Sequence, residues 1–337
     1  MNYIPSKISI IVPIFKVEKY IEKCVRSLFE QTLDDIEYIF VDDCSPDNSI
    51  RILKEVLEEY PNRYPNVKII KHDENKGLSA ARMTGLLSTT GLYIAHCDSD
   101  DWVELDMYER MYNKIVEENA DIVCCSVFNE FETKREIEKF PSIHIEVDSA
   151  WFVQKLSLGG IYSSIWSKLV NRKVYFDNNV FPIEDIVMWE DLVVVFRLIY
   201  FSRKTVILNY PLYHYSKINS NSILSNFSLN RVYDQIKVAK IVDAFFLQRG
   251  NKVYEKYKFP ILSIKFRSKL DFFIRPRIRN VKLWKEIYPE SNEYIWRYDE
   301  YKITYKFVFY MMLMGLNRLS LFLFDNRDML RLTIKNK

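Results

Sequence analysis

The chain has 337 residues, room for a large core and for two domains or one enlarged α/β domain. Its 48 Lys plus Arg stand against 45 Asp plus Glu, too even a balance for a dedicated nucleic-acid binder, which needs a clear cationic excess. The five cysteines are odd in number and all precede residue 126, which argues against a disulfide framework and for a reducing, cytoplasmic setting. Met1 to Ser6 lack the apolar core of a signal peptide. The most apolar run, Phe307 to Phe324, is interrupted by Asn317 and Arg318, so no bilayer-spanning segment is expected. Neither G-x-G-x-x-G nor G-x-x-x-x-G-K-[ST] occurs, and a nucleotide would have to be held without a glycine cradle.

In chain order, Lys7 to Pro13 reads as a buried strand ended by proline. Val17, Tyr20, Ile21, Cys24, Val25, Leu28 and Phe29 then recur at helical spacing and predict one apolar face against a sheet. Glu37 to Val41 is a second strand, ending in Asp42-Asp43-Cys44-Ser45-Pro46-Asp47. There Ser45 before Pro46 reads as the N-cap and first residue of a helix through Ile52, Leu53, Val56, Leu57 and Tyr60. Val67 to Lys71 is a third strand, His72 to Gly77 a loop, and Leu78 to Thr89 a helix stopped by Gly91.

Leu92 to Cys97 predicts a fourth strand that runs straight into Asp98, Asp100 and Asp101. Acids just past a strand's carboxyl end occupy the edge where open α/β sheets bind ligands. Clustered hard oxygens suit Mg2+ or Mn2+ carrying substrate phosphates, although a solvated acidic turn uses the same residues. A helix stripe follows at Leu105, Tyr108, Met111, Tyr112, Ile115 and Val116, then a strand at Asp121 to Ser126. Such alternation implies a Rossmann-like, mostly parallel sheet covered on both faces.

Farther on, Glu190 and Asp191 open a helix striped by Leu192, Val195, Phe196 and Ile199, where an acid pair also suits the helix dipole. Beyond Ile223 the chain reads as mainly helical and aromatic. Lys265, Arg267, Lys269, Arg275, Arg277, Arg279 and Lys282 interleave with Phe266, Phe272, Phe273 and Trp284. A solvated face, single-stranded nucleic acid or an anionic membrane surface would each use these ingredients.

Four ordered blocks, Ser9-Ile-Ile-Val-Pro13, Val41-Asp-Asp-Cys-Ser-Pro-Asp47, Asn75-Lys-Gly-Leu-Ser-Ala-Ala-Arg82 and Asp98-Ser-Asp-Asp101, resemble the inverting, family 2 nucleotide-sugar glycosyltransferases of GT-A fold. The resemblance covers about the first 125 residues. It continues in patches at Trp166-Ser-Lys168, Trp189-Glu-Asp191, Tyr213-His-Tyr-Ser216 and Asn221-Ser-Ile223. It implies a GT-A domain over 1–223, with a nucleotide-binding half at 1–126 and an acceptor half at 127–223. A helical, basic and aromatic region at 224–337 would follow.

The same resemblance implies roles for residues. Asp43 would read the base, since a carboxylate accepts the N3–H that uracil has and cytosine lacks; Asp42 or Asp47 would serve equally as a helix-capping acid. Pro13 would line the nucleotide. Phe15 stands where the family often has Tyr and keeps a face for the base, and Lys16 replaces the usual Asn. Arg82 would reach toward the nucleotide. Asp98 or Asp100, with Ser99, would meet the ribose, and Asp100 or Asp101 would hold Mn2+ or Mg2+. His214 would meet the diphosphate or the metal, and a structural histidine is its alternative. Trp166 and Lys168 would line the sugar, and Asp191 would be the general base.

The expected activity is therefore metal-dependent, inverting transfer from a UDP-sugar to a growing surface polysaccharide or lipid-linked oligosaccharide. The expected location is cytoplasmic, peripheral on the inner face of the plasma membrane, with no nucleic-acid partner. A sugar-1-phosphate nucleotidyltransferase would need a glycine-rich loop that Val12 to Lys16 is not. A catalytically inactive scaffold for polysaccharide assembly would not need Asp43, Asp100 and Asp191 together.

Overall fold

Ile8–Ile14 form β1, buried along its whole length because sheet neighbours flank it and helices cover it. The computed structural model describes residues 6–138, 149–158, 163–219, 228–298 and 301–326. Contacts divide the chain into Met1–Val153 with Ile161–Ser228, and Gln154–Gly160 with Leu229–Lys337.

In the first unit, α1 (Ile21–Phe29), β2 (Ile36–Asp42), α2 (Ser49–Glu58), β3 (Val67–Lys71), α3 (Leu78–Leu87) and β4 (Tyr93–His96) alternate. The four strands are parallel in the order β3-β2-β1-β4. There follow β5 (Trp102–Val103), α4 (Met107–Glu117), β6 (Ile122–Glu130) and β7 (Arg135–Glu138). After these come α5 (Ser149–Leu158), β8 (Lys168–Asn171), α6 (Arg172–Phe176), α7 (Glu190–Phe201) and β9 (Thr205–Ser216). They extend the sheet as β8-β6-β9-β5. This half is mixed: β8 runs antiparallel to both β4 and β6, while β6 and β9 are parallel. Along one edge, β6 pairs with β8 through Ile122–Cys124 and with β7 through Val127–Glu130.

The register places the candidate residues. Ile14 lies beside Asp42 and Ile11 beside His96, so Phe15, Asp43 and Asp98 leave neighbouring strands at one edge of the sheet. Two local boundaries differ from the periodicity. Val17 to Tyr20 is a turn, closed by Tyr20 N–H donating to the Val17 carbonyl at 2.8 Å, and α1 begins after it. α2 begins at Ser49, because Ser45 and Asp47 accept N–H groups of Lys16 and Glu18 at 2.8 and 3.0 Å instead of opening a helix.

The second unit contains α8 (Leu229–Leu247), α9 (Asn251–Ser268), α10 (Asp271–Ile274), α11 (Val281–Glu286), α12 (Ile303–Leu313) and α13 (Asn317–Asp325). Its core gathers Val232, Phe266, Phe272, Phe273, Trp284, Tyr298, Phe309 and Phe324. The basic run is divided: Arg275, Arg277 and Lys282 are exposed, whereas others are held inside. Lys265 is buried between Asp243 and Glu290 at 2.8 and 2.9 Å. Lys269 is buried as well, donating to the Ile287 and Tyr288 carbonyls and to Asn292 Oδ1, and burial pulls its ammonium down to about 7. Arg279 pairs with Asp325 at 2.8 Å. Among the described residues no helix is long and apolar enough to cross a membrane.

One close approach sets the position of α3. A Cβ on Gly85 would collide with Cγ2 of Ile11, a fully buried side chain of β1 that has little room to give. Gly85→Ala should therefore destabilise the protein by about 1–3 kcal/mol, the usual result of overpacking a core, read as a lower urea midpoint at unchanged m-value. It should also lower activity, because Arg82 lies one turn earlier on α3.

Candidate active site

The site is built from strand-end loops held in costly conformations. Lys16, Cys44 and Trp189 have φ of 55°, 56° and 65°, the left-handed region that non-glycine residues rarely adopt. The first two sit in loops tied to each other, with Ser49 Oγ accepting Val17 N–H at 3.1 Å beside the Ser45 and Asp47 bonds. Between them Phe15 is 37% exposed and offers a ring face. Pro13 lies buried in β1 one residue before its end.

Asp43 is buried, and both of its oxygens are already engaged. Oδ1 accepts from Lys76 N–H at 2.8 Å and lies 2.7 Å from His72 Nδ1; Oδ2 accepts from Asn75 Nδ2 and Gly77 N–H at 2.9 and 2.8 Å. Four partners match the lone-pair capacity of a carboxylate. Asp43 thus fixes the loop that leads into α3, and a nucleobase would have to share or displace one of these donors.

The acidic strand end divides by hydrogen-bond partner. Asp98 Oδ1 accepts from Arg82 at 2.8 Å. Asp101 points inward, accepting from Tyr213 Oη and Ser216 N–H at 2.7 Å each, and Ser99 is buried beside it. Asp100 keeps one hydrogen bond, from Asn219 Nδ2 at 2.8 Å. Burial first, then the Asp98 charge, pushes the Asp100 carboxyl up. Among the described residues no three His, Cys, Asp or Glu side chains are placed to hold a metal ion. The donor set does fit an ion held by one carboxylate and completed by substrate phosphates and water, and Asp100 is the residue with oxygen to offer.

His214 is not brought to that carboxylate. Its Nδ1 lies 2.7 Å from Glu130 and its Nε2 2.8 Å from Glu104, and its ring stacks on Trp102 and Phe128 at 5.0 and 4.6 Å. With both nitrogens taken it braces β9 against β5 and β6. Trp166 is equally internal, stacked on Tyr213 at 4.2 Å. Lys168 is buried and donates to the Ser164 carbonyl and Ser167 Oγ at 2.6 and 3.1 Å, so it shapes the loop before β8.

Arg82 is the centre of the arrangement. Only 2% exposed, its guanidinium donates through Nη2 to Asp98 and through Nη1 to Glu190 at 3.3 Å and to Asp191. Asp191 Oδ2 also accepts from Ile165 N–H at 3.1 Å, leaving lone pairs on both oxygens. Burial, then the neighbouring Asp191 charge, pushes the Glu190 carboxyl up. Asp191 is raised by burial too, and the Arg82 charge opposes the shift. Sequence reasoning placed Asp98 and Asp191 and missed that Arg82 and Glu190 join them. An arginine following two alanines on the sheet-facing side of α3 was the available signal.

EpsH of Bacillus subtilis (strain 168), whose own assignment as a glycosyltransferase is provisional, is 32% identical over 271 residues, 79% of this chain and 74% of EpsH. The model of glycosyl transferase family 2 matches residues 9–175. The chain belongs to glycosyl transferase family 2. The glycosyltransferase also shares the GT-A fold with S. aureus TarS 1–349, solved in complex with UDP-GlcNAc. That match has a TM-score of 0.61 at 17% identity over 87% of this chain and 88% of TarS 1–349. The mannosyltransferase PcManGT from Pyrobaculum calidifontis, solved with GDP-Man and Mn2+, aligns with a TM-score of 0.51 at 13% identity, covering 94% of this chain and 81% of PcManGT.

The left-handed loops give a direct test. Asn tolerates positive φ better than Lys, and Gly better than Cys. Lys16→Asn and Cys44→Gly should each leave the protein as stable or raise its thermal midpoint by a few degrees, whereas Lys16→Val should lower it, all read by differential scanning calorimetry.

Proposed function

We propose that this glycosyltransferase moves a sugar, with inversion at the anomeric carbon, from a UDP-sugar to a hydroxyl of a growing surface polysaccharide or lipid-linked oligosaccharide. One observation carries the reading: buried Arg82 joins the acidic strand end to Asp191, so donor-binding and proton-accepting groups share one edge of the sheet. That TarS was solved with UDP-GlcNAc and PcManGT with GDP-Man and Mn2+ supports a nucleotide-sugar donor and a divalent ion.

In this reading the base stacks on Phe15 beside Pro13, and its N3–H shares an Asp43 oxygen with the Asn75 amide, the one of the four donors carried by an exposed side chain. Asp98 and Ser99 face the ribose. Asp100 would hold Mn2+ or Mg2+, which supplies Lewis-acid stabilisation of the departing diphosphate. Asp191 takes the acceptor hydroxyl's proton as the new C–O bond forms opposite the leaving group, worth roughly a hundred- to ten-thousandfold. Trp166 and Lys168 act from behind, holding the loop whose Ile165 N–H orients Asp191.

Asp191→Asn should retain UDP affinity by calorimetry while diphosphate release, measured with a panel of nucleotide sugars and Mn2+, falls at least about a hundredfold. UDP affinity should drop on adding EDTA. An ionised Asp191 is required, and burial raises its pKa, so the acid limb of kcat/KM should lie above 3.8, the ordinary value for an aspartate, with activity lost as pH falls. Near-normal turnover of Asp191→Asn would move the base elsewhere.

We also propose that the second unit rests on an anionic membrane. Ile303, Phe307 and Tyr310 form an exposed stripe on α12; Met314 and Leu316 are exposed in the turn after it, Leu319 and Phe322 on α13, and Lys302 and Arg318 are exposed as well. With Lys265 and Lys269 buried, only Arg275, Arg277 and Lys282 of the run are left exposed, so the cationic share is reduced and salt should loosen binding only in part. Phe307→Ser combined with Phe322→Ser should abolish co-sedimentation with anionic vesicles without changing turnover of a soluble acceptor. Full binding by that variant would remove the stripe from consideration.

A further inference from the structure

Behind the Arg82–Asp191 pair lies a group of polar atoms that the protein itself leaves unmatched. Ile11 and His96 are register partners on parallel strands, and α3 seats Gly85 on Ile11, so His96 faces α3. Arg82, one turn before Gly85, is close enough to His96 that its charge, after burial, holds the imidazole well below its ordinary value. Tyr175 on α6 is fully buried, and the charges of Asp191 and Arg82 both act on its phenol. Ser164 immediately precedes Ile165, whose N–H holds Asp191.

Five buried polar atoms in these four side chains find no hydrogen-bond partner among the described residues: Arg82 Nε, His96 Nδ1 and Nε2, Ser164 Oγ and Tyr175 Oη. Only three others among the described residues share that state, on Tyr108, Arg172 and Trp284. Buried polar groups are almost always satisfied by protein or by ordered water, and a buried water makes about three hydrogen bonds. The chemistry of the group is complementary to water. Arg82 Nε–H can only donate, a neutral imidazole offers one donor and one acceptor, and the two hydroxyls can do either.

We propose that ordered water behind the site bridges Arg82 Nε to Tyr175 Oη and His96, making Tyr175 and His96 positioning residues that hold Arg82 against Asp191. The inference rests on Asp191 being the base for its kinetic consequence, and not for the water itself. The charged and titratable groups that face Asp191 are Arg82 from α3, Asp98 after β4, Lys168 from β8, Glu190 beside it on α7, Tyr175 from α6 and Tyr215 from β9. Of these only Tyr175 changes in the decisive variant.

Tyr175→Phe discriminates sharply. Removing a hydroxyl that is simply dry and unmatched should stabilise the protein, because the cost of its burial disappears. Removing one that anchors a bridging water should lower the urea midpoint. It should also cut kcat roughly tenfold, the equivalent of one hydrogen bond to a charged group, with little change in donor KM. Arg82 would then pair less firmly with Asp191, and the acid limb of kcat should move to higher pH. His96→Asn, which keeps a donor and an acceptor, should retain most activity, and His96→Leu should behave like Tyr175→Phe.

A crystal structure of the wild-type chain at better than about 2 Å should show water within hydrogen-bond distance of Arg82 Nε and Tyr175 Oη. A stabilised Tyr175→Phe with an unmoved pH profile, or no water density there, would overturn the proposal. Should either variant fail to fold, the wild-type density decides. If Asp191→Asn keeps its activity, the reading of the base fails, while the density and the stability change still judge the water.

Discussion

A guanidinium taken out of water demands compensation in charge and in hydrogen bonds, and that demand organises the site. Arg82 meets it with carboxylates from two distant segments, Asp98 past the end of β4 and Glu190 with Asp191 at the start of α7. Removing either would leave charge buried without a partner. The arginine therefore fixes the distance between the strand end and α7, and Gly85 lets α3 come near enough for it to reach. Three carboxylates around one guanidinium also leave excess negative charge, which suits an edge of the sheet proposed to bind a divalent cation.

The same economy of position appears in the loops. Lys16, Cys44 and Trp189 are each held in left-handed backbone, a conformation that surrounding bonds must impose. Ser45, Asp47 and Ser49 impose it on the loops after β1 and β2, and Asp43 does the same for the segment entering α3. These acids and hydroxyls lie in one block of sequence and act on backbone contributed by others. Edges built this way change little when a ligand arrives, which favours preorganised binding.

In the second unit, burial rather than solvent claims the key cations. Lys265 and Lys269 link α9 to Asp243, Glu290 and the carbonyls after α11, around an aromatic core. An interleaved basic and aromatic run looks like a binding surface when it is read as a line. Folded into helices and short turns, its aromatic residues pack inward and draw several of its cations with them. What remains outside is Arg275, Arg277 and Lys282 from the run and the exposed apolar residues of α12 and α13.

The strands and helices of the first unit were legible because each has its own period. Ile8–Ile14 and Ile36–Asp42 are mainly apolar runs, α1 repeats its buried residues at helical spacing, and the acids at 98–101 stand where a strand must end. The ordered blocks pointed to the family for the same reason: they are local patterns. What periodicity could not supply was partner choice. Asp101 turning to Tyr213 and Ser216, His214 meeting Glu104 and Glu130, and Arg82 reaching Asp191 all depend on register and helix packing across 84 to 115 residues of chain. Three aspartates adjacent in sequence look alike until the sheet decides which faces the core, which faces the arginine and which keeps an oxygen free. Burial and hydrogen-bond partners assign those roles, and they exist only once distant strands have come together.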